Sequence, residues 1–252
     1  MLLLLAIGTV AAWYARLRDE VRPGVPRLVM LLLVIVAVMP FAHPDLVLFH
    51  EVWAGLLIAL ALALYRPERW LETVTITLIA MLIRETALLF ALVMAAMALI
   101  ERSRRELIGW AVAIAVFGTA IVFHAIAADA VAGTADPSSP GWTGLLGFGF
   151  FIRAVAATTP LALLPLAIAA VLLGVAFIGW VSWATPAGAR GAATIVAYAA
   201  LLGIAARADT FYWAAMIGPL MPIGLIFAPD GVMQLIHRAL DRRRITVTRV
   251  SR

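Results

Sequence analysis

The chain is 252 residues long, 65% hydrophobic and 13% charged, with a mean hydropathy of +1.06; that balance excludes a soluble globular domain and predicts an all-α, polytopic membrane bundle of about nine apolar segments. The net charge of +5 rests on 19 Arg and no Lys, and these arginines sit in short loops between apolar runs, where membrane orientation accounts for them and nucleic acid is not an expected partner. With no Cys, disulfides, thiolate nucleophiles and Cys-ligated metals are excluded.

Taken in order, residues 1–15 form the first apolar segment. No basic residue precedes it, so it lacks the n-region of a signal peptide. This predicts either an external N-terminus or a chain shortened relative to a longer protein. An Arg-rich loop with Arg16, Arg18, Arg22 and Arg27 follows, then a second span over 28–42. His43-Pro44-Asp45 opens a third span ending at Tyr65, because Pro suits a first helical turn and Asp suits its positive end. This reading puts His50 and Glu51 about two turns inside that span.

The run over 70–100 is almost wholly apolar and has neither Gly nor Pro, yet it carries Arg84 and Glu85 near its middle. As one helix it would be about 46 Å long against a hydrocarbon core of about 30 Å, and halved it gives two short pieces of about 21 Å. Charge decides between them. If the chain turns back at Arg84, then Arg66, Arg69, Arg102, Arg104 and Arg105 share one side, as the cytoplasmic excess of Arg demands. The expectation is a hairpin, with a turn that lacks the usual turn residues.

The sixth span covers 107–126, and a Gly-, Pro- and Ser-rich loop runs over 127–160, within which GWTGLLGFGFFIRAV suits the membrane surface. The seventh span covers 161–183, an inner loop holds Arg190, and the eighth ends at Arg207. A ninth, reaching Ala228, is expected to kink at Pro219 and Pro222. Residues 1–228 thus form the transmembrane domain, and 229–252 an amphipathic basic tail expected on the cytoplasmic side.

In this topology sixteen arginines lie inside and Arg84, Arg153 and Arg207 lie outside. The outer face also gathers His43, Asp45, His50, Glu51, Glu85, His124, Asp129, Asp136, Trp142, Asp209, Tyr212 and Trp213. Such a set offers a carboxylate base, guanidinium forks for a phosphate and aromatic faces for a sugar or lipid. Plainer roles compete: Arg84 and Glu85 as interfacial turn charges, Asp45 as a helix-start charge, Arg207 with Asp209 as a loop pair, Tyr212 and Trp213 as an aromatic belt. His43, Asp45, His50 and Glu51 are metal-competent types, so a divalent metal is conceivable, but their spacing matches no standard ligand motif. P-loop, dinucleotide, zincin and G-x-S-x-G signatures are all missing.

At FHEVWAGLLIALALAL, at LIRETALLFALVMAAMAL with ERSRRE, and at RADTFYWAAMIGPLMPIG, the chain resembles bacterial C-type (GT-C) glycosyltransferases. More narrowly it is similar to the polytopic family of polyprenyl-phosphate-dependent mannosyltransferases and cell-surface glycopolymer proteins, over roughly residues 45–228. The resemblance implies sugar transfer from a polyprenyl-phosphate carrier to an envelope acceptor on the outer face of the bacterial plasma membrane. It implies a carboxylate base, for which Asp45, Glu51 and Glu85 are candidates, and donor binding by His50, Arg84, Arg153, Arg207, Asp209, Tyr212 and Trp213. Family members usually place the key acid in a first outer loop that this chain does not show. Two other classes fit the same features: a lipid or glycolipid transporter, and a non-catalytic subunit bound to a larger membrane partner.

Overall fold

The computed structural model describes residues 1–131, 133, 141–142 and 144–240. Among them every regular element is a helix: α1 (Leu2–Leu17), α2 (Val25–Val38), α3 (His50–Leu64), α4 (Trp70–Ile83), α5 (Leu88–Ile100), α6 (Arg104–Val131), α7 (Gly147–Ala157), α8 (Leu166–Ser182), α9 (Pro186–Ile204) and α10 (Ala228–Leu240), with short 3-10 turns between them. Among the described residues three segments are long and apolar enough to cross a membrane: Val25–Ala42, Arg104–Val131 and Pro186–Ile204. The other apolar helices are shorter.

The centre of the molecule is α3. Its sequence is apolar on every side, and accordingly it is buried on every side, with α1, α4, α9 and the 3-10 segment Ala208–Met216 around it. Gly55 permits the closest of these approaches, since a Cβ there would lie 2.2 Å from the carbonyl oxygen of Ala215.

The bundle has two chemically distinct ends. At the basic end, the guanidinium of Arg190 reaches Glu101 and Glu106, Glu106 accepts from Tyr65, and the Trp70 ring lies against Gly109. Glu51 and Arg84 meet at the other end. Helix α4 therefore runs from the basic end to Arg84 and α5 runs back, so the 70–100 run is two short antiparallel helices. A Schellman turn then reverses α5 into α6: the amide of Ser103 donates to Ala98 O at 2.9 Å and that of Arg102 to Leu99 O at 3.1 Å, with Arg102 at a φ of 58°.

The structure corrects two expectations. Pro44–Leu46 forms a separate 3-10 turn and α3 begins only at His50, so His50 is the exposed first residue of the helix and Glu51 lies in its first turn, neither of them two turns inside the span. The proposed ninth span is two 3-10 segments, Ala208–Met216, buried from Trp213 onward, and the largely buried Met221–Ile226. Pro219 and Pro222 remove the amide donors a continuous helix needs. The freed backbone is tolerated because it is enclosed by protein: the segment packs on α2, α3, α7 and α8, and the Trp180 indole donates to Leu220 O at 3.0 Å. The amphipathic α10 packs its start on α8 and leaves Met233, Ile236 and Leu240 exposed. The tail residues beyond 240, Arg242 to Arg244 among them, lie outside the described residues, as does Asp136.

Candidate functional site

Arg84 ends α4 by adopting an extended conformation, φ −145° and ψ 117°, and Glu85–Ala87 then makes one 3-10 turn into α5. No Gly or Pro explains that break. Tertiary partners do: Glu51 of α3 holds the Arg84 side chain, and the Tyr198 hydroxyl of α9 donates to Thr86 O at 2.9 Å. Arg84 Nε lies 2.8 Å from Glu51 Oε1, as an ion pair rather than an aligned hydrogen bond, and Arg84 Nη1 lies 3.0 Å from Glu85 Oε1. The Glu51 side chain is only 7% exposed, against 21% for Arg84 and 44% for Glu85.

Glu51 occupies the first turn of α3, where its charge meets the positive end of the helix. It also forms part of the wall of a cavity of about 620 Å³ that is otherwise largely apolar, with Phe41, Phe49, Thr158, Leu163 and Tyr212 around it. The Tyr212 ring sits edge-on to Phe49, centroids 6.5 Å apart. The hydroxyls of Thr158 and Thr159 are both spent on carbonyls of their own α7 turn. The cavity thus presents one carboxyl side chain among largely apolar walls, with Arg84 as its ion-pair partner. Such a site suits a ligand with a long apolar part and a polar head.

Of the residues singled out from sequence, Glu51, Arg84, Glu85 and Tyr212 come together here. The others do not join them. Asp45 is exposed and, among the described residues, has its ion pair with His43, whose Nδ1 is 3.5 Å from its Oδ2. His50 is exposed, and Arg153 projects from α7 with no ion pair among the described residues. Arg207 grips Asp209 through two bonds, Nε to Oδ1 at 3.0 Å and Nη2 to Oδ2 at 2.9 Å, and also donates to Gly141 O at 3.2 Å. The hydrogen bonds from Arg207 hold the Asp209 carboxyl below its ordinary value and raise Arg207 in turn. That pair clips the loop before α7 to the chain after α9. Trp213 is buried against Trp142, centroids 4.9 Å apart, which makes it a packing residue. Among the described residues no three His, Asp or Glu side chains gather in metal-ligating geometry.

Sequence reasoning missed a second polar cluster, because it placed Arg190 in a loop. The side chain of Arg190 is wholly buried, forks onto Glu101 with both contacts at 2.7 Å, and lies 4.2 Å above the Tyr65 ring. Glu106 completes the group, 3.5 Å from Arg190 Nη2 and accepting from the Tyr65 hydroxyl and the Trp110 indole at 3.3 Å each. The signal was present: Thr185-Pro186 is a helix start, the Thr185 hydroxyl accepting from the Gly188 amide at 3.1 Å with Pro at the first helical position. That start puts Arg190 in the second turn of α9.

Comparison of the chain with protein-family models, with curated proteins and with solved structures gives no match.

Proposed function

We propose that this chain is a multi-pass protein of the bacterial plasma membrane that takes a polyprenyl-phosphate-linked sugar at the Glu51 cavity and transfers the sugar to an acceptor on the outer side. In this reading the short helices cross the bilayer as a packed bundle around α3, the Arg-rich end and α10 face the cytoplasm, and the Glu51 end faces outward. The observation that carries it is a buried, ion-paired carboxylate opening onto a largely apolar cavity. The polyprenyl chain occupies the apolar wall. Glu51 takes the proton of the acceptor hydroxyl as that oxygen bonds to the anomeric carbon, and the carbon–oxygen bond to phosphate breaks to release polyprenyl phosphate. Arg84 fixes the Glu51 carboxylate, Tyr212 and Phe49 supply ring faces, and Glu85 is the solvent-side partner of Arg84. Asp45 stands too exposed on its own turn for the role of base.

One observation favours a second reading. Among the described residues no cation lines the cavity, and the charge of Arg84 is already shared between two carboxylates, so these residues offer no free guanidinium to a phosphate. A lipid or glycolipid transporter, or a lipid-binding subunit of a larger assembly, needs no such group. Radiolabelled polyprenyl-phosphate sugar separates the two: the transferase binds it and turns it over with membrane acceptors, and Glu51→Gln keeps binding while turnover falls by about a hundredfold or more. Binding without turnover in the unaltered chain would discard the transferase.

A further inference from the structure

The basic end carries another cavity, about 180 Å³, between α1, the C-terminal end of α3 and the start of α4. Three guanidinium groups line it, those of Arg16, Arg66 and Arg69, against one carboxylate, Glu72. Arg69 and Glu72 neutralise each other, with Arg69 Nε donating to Glu72 Oε1 at 3.1 Å. Arg16 and Arg66 have no carboxylate within ion-pair distance among the described residues.

Both instead point one nitrogen at the same two oxygens. Arg16 Nη1 donates to Tyr65 O at 2.6 Å and to Ala63 O at 3.4 Å, and Arg66 Nη1 donates to Tyr65 O at 2.9 Å and to Ala63 O at 3.2 Å. Two like charges therefore share the carbonyl end of α3, which offers only about half a unit of negative charge. The nearby Glu20 carboxylate is taken by the Trp183 indole, over whose ring Arg16 lies at 5.2 Å. Arg16 Nε is buried with no acceptor. An anion in the cavity would supply the missing charge to Arg16 and Arg66.

The polar cavity does not stand alone. Leu64, Arg69 and Glu72 also border a shallow groove of about 600 Å³ that continues along α4 past Leu71, Thr75 and Ile76. A basic recess joined to an apolar strip matches a lipid phosphate with its attached chain, not a free ion. We propose that this joined feature binds an anionic phospholipid, its phosphate on Arg16 and Arg66 and one acyl chain along Leu71 and Ile76. The proposal rests on the membrane placement of the chain and on no part of the transferase reading.

The test uses the full chain in phosphatidylcholine nanodiscs, with phosphatidylglycerol titrated in and lipid retention read by native mass spectrometry and melting temperature. Phosphatidylglycerol is expected to be retained and to raise the melting temperature. The double variant Arg16→Gln/Arg66→Gln is expected to bind it at least about tenfold more weakly, and the equally charged control Arg18→Gln/Arg22→Gln to bind as before. Equal losses in both doubles would mean diffuse surface charge and overturn the site. So would the absence of preference over phosphatidylcholine in the unaltered chain, a comparison that decides the matter even if the first double variant fails to fold. Stabilisation by inorganic phosphate equal to that by phosphatidylglycerol would reassign the cavity to a free anion.

Discussion

At the scale of single residues, the charges buried deepest are held in pairs. Arg190 is the strongest case, since its guanidinium has left water entirely and leans on two carboxylates and an aromatic ring. Truncation to Ala strands Glu106 in the interior, and breaking such a pair costs about 3–5 kcal/mol. Arg190→Ala is therefore expected to lower the melting temperature sharply in detergent, and Arg190→Lys to recover little, because a point charge cannot replace the two-pronged contact with Glu101. Glu20 behaves differently. Burial raises its carboxyl above the ordinary 4.5, and the Trp183 indole only partly offsets this. A raised value favours the protonated form in the fold, so its stabilising contribution is full below 4.5 and disappears as pH rises through the folded value. Measured against Glu20→Gln, the native chain should gain stability on going from about pH 7.5 to about pH 4.5. A flat difference between the two would show that Glu20 does not sense the fold.

Among the elements, those governed by long-range charge sorting were legible in the sequence and those governed by tertiary contact were not. The reversal at Arg84 followed from the length of the 70–100 run and the side on which its flanking arginines must fall. What breaks the helix there could not be read, because the partners, Glu51 and Tyr198, are remote in sequence. The same division explains the site. Glu51 and Arg84 were identifiable as charges in apolar surroundings, whereas their contact with each other, and the cavity that Glu51 shares with Tyr212, depend on how α3 packs. His50 was misplaced because the break after Leu46 has no sequence marker strong enough to override the apolar pattern. The α5–α6 turn gives a local test. Arg102 occupies the left-handed position that glycine favours at a helix end, so Arg102→Gly should stabilise the bundle by about 1 kcal/mol in reversible unfolding. Unchanged or reduced stability would mean that the Arg102 side chain offsets its backbone cost.

For the whole molecule, α3 and the Ala208–Met216 segment, which both line the cavity, meet through a glycine. Gly55→Ala is the smallest change that tests this: its Cβ would lie 2.2 Å from the Ala215 carbonyl oxygen, so the backbone of Ala215, part of the cavity wall, must move away from α3. The expected result is a chain that still folds but loses lipid-linked ligand at the Glu51 end while keeping phosphatidylglycerol at the basic end. Loss of both would show that the two ends are not independent.

The largely buried 3-10 stretch between Ala208 and Ile226 also constrains how the protein is made. Its carbonyls and amides are not all closed within the segment, so it is unsuited to entering lipid alone as a helix does. The walls that receive most of it, α2, α3, α7, α8 and α9, precede it in the chain and so leave the ribosome first, while α10, which also touches it, follows. Order of synthesis thereby does what hydropathy cannot, and a rearranged gene encoding this stretch ahead of α2 should yield a protein that is degraded rather than assembled.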